Sequence, residues 1–529
     1  MTVLRFDVLF EGGHVVDGSG NTWFRADVGV VGDKIEVIGD LRGDKANRKV
    51  DVRGHIVAPG FMDIHSHSDL PLLVDPRVES KVYQGITVEV IGNCGNSAAP
   101  MNKPLKAYRE KYGRNGVSDD FEFNWVTMKD YMDRVDAQGV SFNVATWVGH
   151  GTIRQNIMGH ENREPTDTEL RKMKRLVDNA MSDGAYGMST GLIYPPSVYG
   201  KTPEIIELAK VSAKYGGIYA SHIRGEESDS LLPAVREAIE IGEKAMLPVQ
   251  IAHFKASGKK AWGMVKQSLA LVEEARIRGV DVTFDQYPYI ASSTGLATII
   301  PDWAHEGGPE KMMERLRDPE LRARMAKEQR IERDWNGILV VYAKNNPQYN
   351  GKTIADIAKE QGKKPHDAVC DLLLAENTVV SSVMFGMNEE DVKYVLRSPI
   401  GMVGSDGSAI SPNGILGVGK PHPRFYGTFP RVIGRYARDE KVISMEEAVR
   451  KMTSAPAQRI GLKDRGLIRE GYKADLVIFD PEKVMDEATF TDPHRFPSGI
   501  PYVICNGVFT IDKGKHTGKL PGKMLRKKL

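Results

Sequence analysis

Two histidines one residue apart, His65 and His67, close an apolar run that starts at Ala58-Pro59-Gly60-Phe61. Alternate side chains of an extended strand share a face, so both imidazoles project to one side, where neutral ring nitrogens are good ligands for a metal cation. Alone, the pair reads equally well as surface or hydrogen-bonded histidines. Kindred groups follow: Cys94 in Ile91-Gly92-Asn93-Cys94-Gly95-Asn96, then His150, His222, His253 with Lys255 two residues on, and Asp406 in Ser405-Asp406-Gly407. Each has a plain structural reading. Cys94 fits a small buried apolar residue, His222 and His253 fit satisfied core histidines, and Asp406 fits the start of a turn. Jointly, four histidines, a thiol and a carboxylate form the donor set of a metal that activates water, and the chemistry expected is hydrolysis.

Those groups need elements that bring them together. Apolar strands are expected at Phe61 to His65, Thr87 to Ile91, Asn143 to Val148, Ala185 to Ser189, Gly217 to His222, Pro248 to His253, Asp281 to Asp285 and Gly401 to Ser405. Amphipathic stretches such as Asp167 to Asp183, Pro203 to Tyr215 and Leu231 to Ala245 lie between them. A doubly wound sheet shares this alternation, but eight units favour an α/β fold of the (β/α)8 TIM-like barrel type. In such a barrel the reactive groups sit at the C-terminal ends of the strands, and here each candidate falls at such an end. Short β-prone runs broken by glycines occupy 1–57 and 461–529, and the two ends are expected to pair into one β-sandwich domain beside a barrel over 58–460. The charged segment 301–345, between strands seven and eight, reads as a solvated helical insertion or as a lid over the site.

Composition narrows the class. The chain has 529 residues, 41% hydrophobic and 27% charged, which is enough for a large core. Lys plus Arg at 72 against Asp plus Glu at 70 leaves a net charge of +2, which argues against nucleic acid or an anionic membrane as partner. No apolar run approaches a membrane span and the N-terminus lacks signal-peptide character, so a cytoplasmic location is expected. Three scattered cysteines, Cys94, Cys370 and Cys505, make no disulfide framework, which leaves Cys94 free to be a ligand. A homo-oligomer is compatible with this sequence.

The strand-one motif Pro59-Gly60-Phe61-Met62-Asp63-Ile64-His65-Ser66-His67, the terminal Gly471-Tyr472-Lys473-Ala474-Asp475-Leu476 and the eighth-strand Ser405-Asp406-Gly407 resemble the amidohydrolase superfamily. Within it the chain is similar to the D-aminoacylase (N-acyl-D-amino-acid deacylase) family, on Gly92-Asn93-Cys94-Gly95, Gly184 to Pro195, Ser221-His222-Ile223-Arg224-Gly225-Glu226, His253-Phe254-Lys255, Asp285-Gln286-Tyr287-Pro288-Tyr289 and His422-Pro423-Arg424. The likeness covers nearly the whole chain. Many two-metal amidohydrolases bridge their metals with a strand-four lysine, whereas strand four here offers Ser189 and Thr190, and the family resembled uses Cys94 instead. The resemblance implies one tightly held Zn2+ on Cys94, His222 and His253, and a weaker second site at His65 and His67 that shares the thiolate. A thiolate with two imidazoles suits zinc and leaves a fourth position open.

The same likeness implies Asp406 as general base and acid near the metal and Tyr194 as a donor to the acyl oxygen. It implies Lys255, Tyr287 and Ser293, with Arg424, as contacts of the substrate carboxylate. A long Gly-rich loop, 408–420, separates Asp406 from Arg424, so the reach of Arg424 is left to the structure. The activity implied is zinc-dependent hydrolysis of N-acyl-D-amino acids. A cyclic-amide hydrolase on the same scaffold is disfavoured by the missing strand-four lysine, and a non-catalytic scaffold by the complete ligand set.

Overall fold

A computed structural model describes residues 5–113, 117–118, 120–328 and 334–528. Eight parallel strands make the barrel: Phe61–Asp63, Ile86–Ile91, Asn143–Thr146 continued by Val148–Gly149, Gly187–Gly191, Ile218–His222, Val249–Ile251, Val282–Gln286 and Gly401–Val403. Neighbours pair in order, from Met62 against Val88 through to Phe284 against Gly401. The ring closes between its last and first strands, where Ser66 meets Gly407 in a parallel bridge. These strands are buried on both faces and are rich in Val, Ile and Met, as strands covered by crossover helices must be.

The helices follow their sequence signals closely. Asp167–Ser182 starts at Thr166, whose side chain and Glu169 form a reciprocal capping box, and it buries Met173, Val177, Ala180 and Met181 at helical spacing. Leu231–Ala245 buries Ala234, Val235, Ala238, Ile239, Ile241 and Gly242 in the same way.

The strands of the two termini are hydrogen-bonded as one nine-stranded sheet. The first, Arg5–Val15, branches it: residues 5–11 pair with Lys45–Asp51, and His14 and Val15 pair with Ile56–Pro59. Both branches turn apolar faces onto one cluster, which includes Val8, Phe10, Val28, Val30, Leu476, Ile478 and Ile504. Ile56–Pro59 lies antiparallel to Leu476–Phe479 and runs into the barrel through Gly60. A Cβ at Gly60 would lie 2.2 Å from Thr87 Oγ1, so only glycine lets the sheet hand the chain to the barrel there. At the other end of the chain, Gly522, Lys523 and Leu525 hydrogen-bond to Val140 and Val144 beside the third barrel strand.

Between strands seven and eight the chain makes a longer excursion than 301–345. Its antiparallel sheet has Val380–Phe385 between Ala291–Gly295 and Ile338–Ala343, with helices Pro309–Arg317, Pro319–Lys327, Ile354–Gln361 and Pro365–Ala375. A separate apolar core, including Leu316, Val340, Ile357, Val369 and Leu373, holds it together. The segment 301–345 has no closing strand of its own, so it folds with residues up to 385; its residues 329–333 lie outside those described.

Candidate metal centre

His65 and His67 leave the first barrel strand beside Asp406, which leaves the eighth. Backbone bonds stitch the two ends: Asp406 N donates to the His65 carbonyl at 2.8 Å and His67 N to the Gly407 carbonyl at 2.8 Å. Cys94 follows a turn at Gly92, whose φ is +77° and whose Cβ would stand 2.3 Å from the Trp147 carbonyl, so the turn that delivers the thiol needs glycine. His222 ends the fifth strand, and His253 lies two residues beyond the sixth. Cys94, His253 and Asp406 all have positive φ, at 52°, 36° and 48°. Non-glycine residues adopt that conformation at a cost of about 1–3 kcal/mol each, and such strain collects where surrounding contacts fix a functional geometry.

Two ligand groups result, and Cys94 belongs to both. The potential ligand atoms of His65, His67, Cys94 and Asp406 lie within 4.8 Å of one another, as do those of Cys94, His222 and His253. Cys94 Sγ is 3.4 Å from His65 Nε2 and 3.8 Å from His253 Nε2, and His253 Nε2 is 2.7 Å from His222 Nδ1. Asp406 Oδ1 is 3.0 Å from His67 Nε2 and 3.4 Å from His65 Nε2. Burial alone would raise the Cys94 thiol, but the positive field of His65 and hydrogen bonds from His222 and His253 hold it well below the usual thiol range. A thiolate between imidazoles is the donor chemistry that suits zinc.

The remaining nitrogens of the inner histidines are fixed from behind. His65 Nδ1 donates to Asp285 Oδ1 at 3.0 Å, and Asp285 is held in turn by Gln250 Nε2 at 2.9 Å and the His253 backbone N at 2.8 Å. His253 Nδ1 is 3.1 Å from Glu226 Oε1 and 2.8 Å from Lys255 Nζ. Such outer partners set the tautomer and aim of a ligating ring.

Of the candidates for substrate contact, Tyr194, Ser293 and Arg424 line one cavity of about 640 Å3 together with Cys94 and Asp406, whereas Lys255 and Tyr287 line a separate, smaller one beside His253. The Tyr194 hydroxyl is 3.0 Å from Thr294 Oγ1, and its ring stands edge-on to His222 at 5.0 Å. Burial pushes this phenol well above its ordinary value, so it keeps its proton. Arg424 does reach the site: Nη1 is 3.0 Å from Asp406 Oδ2 and Nη2 donates to the Ser293 carbonyl at 3.1 Å. Its Nε and the Tyr287 hydroxyl are buried without a hydrogen-bond partner, with the guanidinium 4.7 Å from the Tyr287 ring. Lys255 is placed differently, its ammonium bonded to Glu226 Oε1 at 2.5 Å. His150 stays outside the centre, bonded to Ser197 Oγ at 2.6 Å and Glu204 Oε1 at 2.8 Å.

The chain as a whole is similar to known proteins. The model of the amidohydrolase family matches residues 48–511. The chain belongs to the amidohydrolase family. The amidohydrolase is 37% identical to a D-aminoacylase of Alcaligenes xylosoxydans xylosoxydans, with 98% of this chain and 97% of the relative covered. It is 35% identical to an N-acyl-D-glutamate deacylase of the same organism over 99% and 97%. Among solved structures, the N-acyl-D-glutamate deacylase of Bordetella bronchiseptica, in complex with zinc and a phosphonate mimic of the tetrahedral intermediate, superposes with a TM-score of 0.85 at 33% identity over 99% of this chain and all of that one.

Sequence reasoning passed over three supports in this amidohydrolase. Glu226 and Asp285 were visible inside quoted motifs, but only the fold shows that they back His253 and His65. The third is a buried ion cluster under the first strand. Lys81 Nζ donates to Asp63 Oδ2 at 2.8 Å and Ser405 Oγ at 2.7 Å and lies 3.0 Å from Glu89 Oε1. Asp63 Oδ1 accepts from the backbone of His65 at 3.2 Å and of Ser405 at 2.9 Å, and Glu89 Oε2 accepts from Ser66 Oγ at 2.9 Å. The cluster therefore grips the residues next to His65, His67 and Asp406. Nothing in the sequence signals it: Lys81 stands in the polar stretch Glu79-Ser80-Lys81-Val82 and reads as a surface residue until the strands close around it.

Proposed function

We propose that this amidohydrolase hydrolyses the amide bond of N-acyl-D-amino acids, giving the D-amino acid and the carboxylate of the acyl group, with zinc held by Cys94, His222 and His253. The observation that carries the reading is a thiolate-centred ligand set whose Cys94 lies on one cavity with Asp406, Tyr194, Ser293 and Arg424, the last stacked against Tyr287. The zinc named for the Bordetella bronchiseptica relative supports the choice of metal. Bound there, zinc supplies Lewis-acid polarisation of the scissile carbonyl and a water of pKa near 7.

The chain's own groups do the rest. Asp406 takes a proton from the attacking water and passes it to the amide nitrogen, so the carbon–nitrogen bond breaks with a neutral amine leaving. Its contacts with His65, His67 and Arg424 fix the carboxylate for that transfer. Tyr194, a neutral donor, turns its hydroxyl from Thr294 to the carbonyl oxygen as negative charge develops there. Arg424 and Tyr287 bind the substrate carboxylate, with Ser293 on the same wall, while Lys255 serves as a neighbouring charge held by Glu226. His65, His67 and Asp406, sharing Cys94, make the second and weaker metal site. The excursion covers the cavity, since its strands bring Ser293, Thr294 and Ser381 to the wall.

Zinc, Arg424 with Tyr287, and the cavity wall together fix three substituents of the substrate Cα, so only one hand fits. N-acetyl-D-amino acids are expected to turn over at least roughly 100-fold faster than their L enantiomers, about 3 kcal/mol in the transition state. Equal rates for the two hands, or faster hydrolysis of dihydroorotate or hydantoin than of any open-chain substrate, would refute the reading.

A further inference from the structure

Of the histidines at the strand ends, His150 is the one the metal centre leaves aside, yet its side chain is fully buried. It starts the helix His150–Met158, directly after the third barrel strand. Nε2 is 2.8 Å from Glu204 Oε1 and Nδ1 is 2.6 Å from Ser197 Oγ. A carboxylate only accepts, so Nε2 carries the hydrogen; the neutral ring then accepts at Nδ1, and the Ser197 hydroxyl donates to it. Arg154 Nη1 donates to Glu204 Oε2 at 2.5 Å, and its Nη2 to the Arg163 carbonyl at 2.9 Å. All four side chains are more than nine-tenths buried. A bond broken among them leaves a polar group without water to replace its partner.

What this network holds is the loop after strand four, which carries Tyr194. Tyr194 N donates to the Gly191 carbonyl at 2.9 Å, and Val198 N donates to the Tyr194 carbonyl at 2.9 Å, so Ser197 sits in the turn that Tyr194 opens. Arg224 pins the far side of that turn, donating from Nη1 to the Val198 carbonyl and from Nη2 to the Gly200 carbonyl, both at 2.9 Å. On the near side the tie is Ser197 to His150. Tyr194 and Ser197 line the same cavity, and Tyr194 must turn its hydroxyl from Thr294 to the carbonyl oxygen of the substrate. A misplacement of about 1 Å is enough to lose most of such a donor's effect. We propose that His150 and Ser197 are positioning residues: backed by Glu204 and Arg154, they tie the Tyr194 loop to the third strand and so aim the Tyr194 hydroxyl. This proposal rests on the donor role given to Tyr194 above.

The test is a double-mutant cycle in the zinc-loaded full chain, read as kcat and KM for N-acetyl-D-leucine beside zinc content. Tyr194→Phe should lower kcat by roughly 100-fold, the scale of one oxyanion donor. Ser197→Ala frees the loop but keeps the bonds among His150, Glu204 and Arg154. It should lower kcat at least roughly 10-fold with zinc retained and KM little changed, because the donor acts only in the transition state. In the Tyr194→Phe background the same Ser197→Ala should cost less than about twofold more, since both changes remove one interaction. His150→Asn, the harsher break, should likewise lose kcat only where Tyr194 is present. An equal factor for Ser197→Ala in both backgrounds, or no effect of it on kcat, would overturn the proposal and leave the donor role of Tyr194 standing. An unchanged kcat in Tyr194→Phe alone would overturn both.

Discussion

The two halves of the metal centre share Cys94 but are built differently. In the Cys94–His222–His253 half both imidazoles are buried, and the only negative group among its ligands is the half-buried thiolate. Its imidazoles have no carboxylate between them, and burial together with the neighbouring His253 lowers His222 below the ordinary histidine value, so that it stays neutral and ready to ligate. In the other half the ligands already satisfy one another: Asp406 Oδ1 touches His67 Nε2 and His65 Nε2, and the His67 side chain is 33% exposed. A metal entering that half displaces contacts worth keeping. In the first half it replaces only contacts among a thiolate and two imidazoles, with no carboxylate to displace from between the ligands. The difference supports the tight and the weak site proposed above, built from six residues with Cys94 common to both.

Breaking the common member should do most damage. In Cys94→Ala both halves lose a ligand, and zinc content and hydrolysis are expected to fall to background, a larger loss than the roughly 10–100-fold that follows removal of an outer partner. Elemental analysis beside an amine-release assay reads it. Asp406→Asn should separate the halves: zinc stays on Cys94, His222 and His253, while turnover falls by roughly 10²–10⁴ for want of a proton carrier. Loss of that zinc would instead make Asp406 chiefly a ligand. Glu226→Gln acts on the first half alone. It weakens zinc retention against a chelator by roughly 10–100-fold, and it lowers Tm because Lys255 is left as a buried charge without its partner. His67→Ala acts on the second half alone and should cost less than about tenfold in turnover, leaving the tight zinc in place.

The smallest effect concerns the excursion rather than the metals. Burial pushes His160 and His305 down to about 4 each, where the excursion docks on the barrel through the Gly307 N to His160 carbonyl bond. Both are neutral in the folded chain and would take up protons near the ordinary value on unfolding. The unfolded state therefore binds more protons between about pH 6.5 and 4, and stability is lost as pH falls through that window. Thermal unfolding at pH 5 against pH 7 should show it, and His305→Gln should flatten the dependence.

Much of this was legible in the sequence for a physical reason. Strand ends at the C-terminal face of a barrel expose the residues that follow an apolar run, so His65, Cys94, His222, His253 and Asp406 announced themselves by position. The capping box at Thr166 and the apolar spacing after it fixed a helix locally. What sequence does not carry is pairing across the ring. The buried Lys81 cluster joins strands one, two and eight, and the Lys255–Glu226 bond joins the turns after strands five and six. The excursion was underestimated because its closing strand, Val380–Phe385, lies some forty residues past the charged stretch that marked it. The branching of the terminal sheet at Arg5–Val15 depends on one strand changing partners along its length, which no periodicity records.

The central claim is that the Cys94–His222–His253 half alone drives hydrolysis of the D-configured substrate. Zinc titrated into chelator-stripped protein, with amine release from N-acetyl-D-leucine and N-acetyl-L-leucine read at each addition, tests it most directly. The account predicts that D-selective activity rises in proportion to zinc and saturates near one equivalent per chain. Saturation only at two equivalents, full activity in the stripped protein, or equal release from the two enantiomers would contradict it.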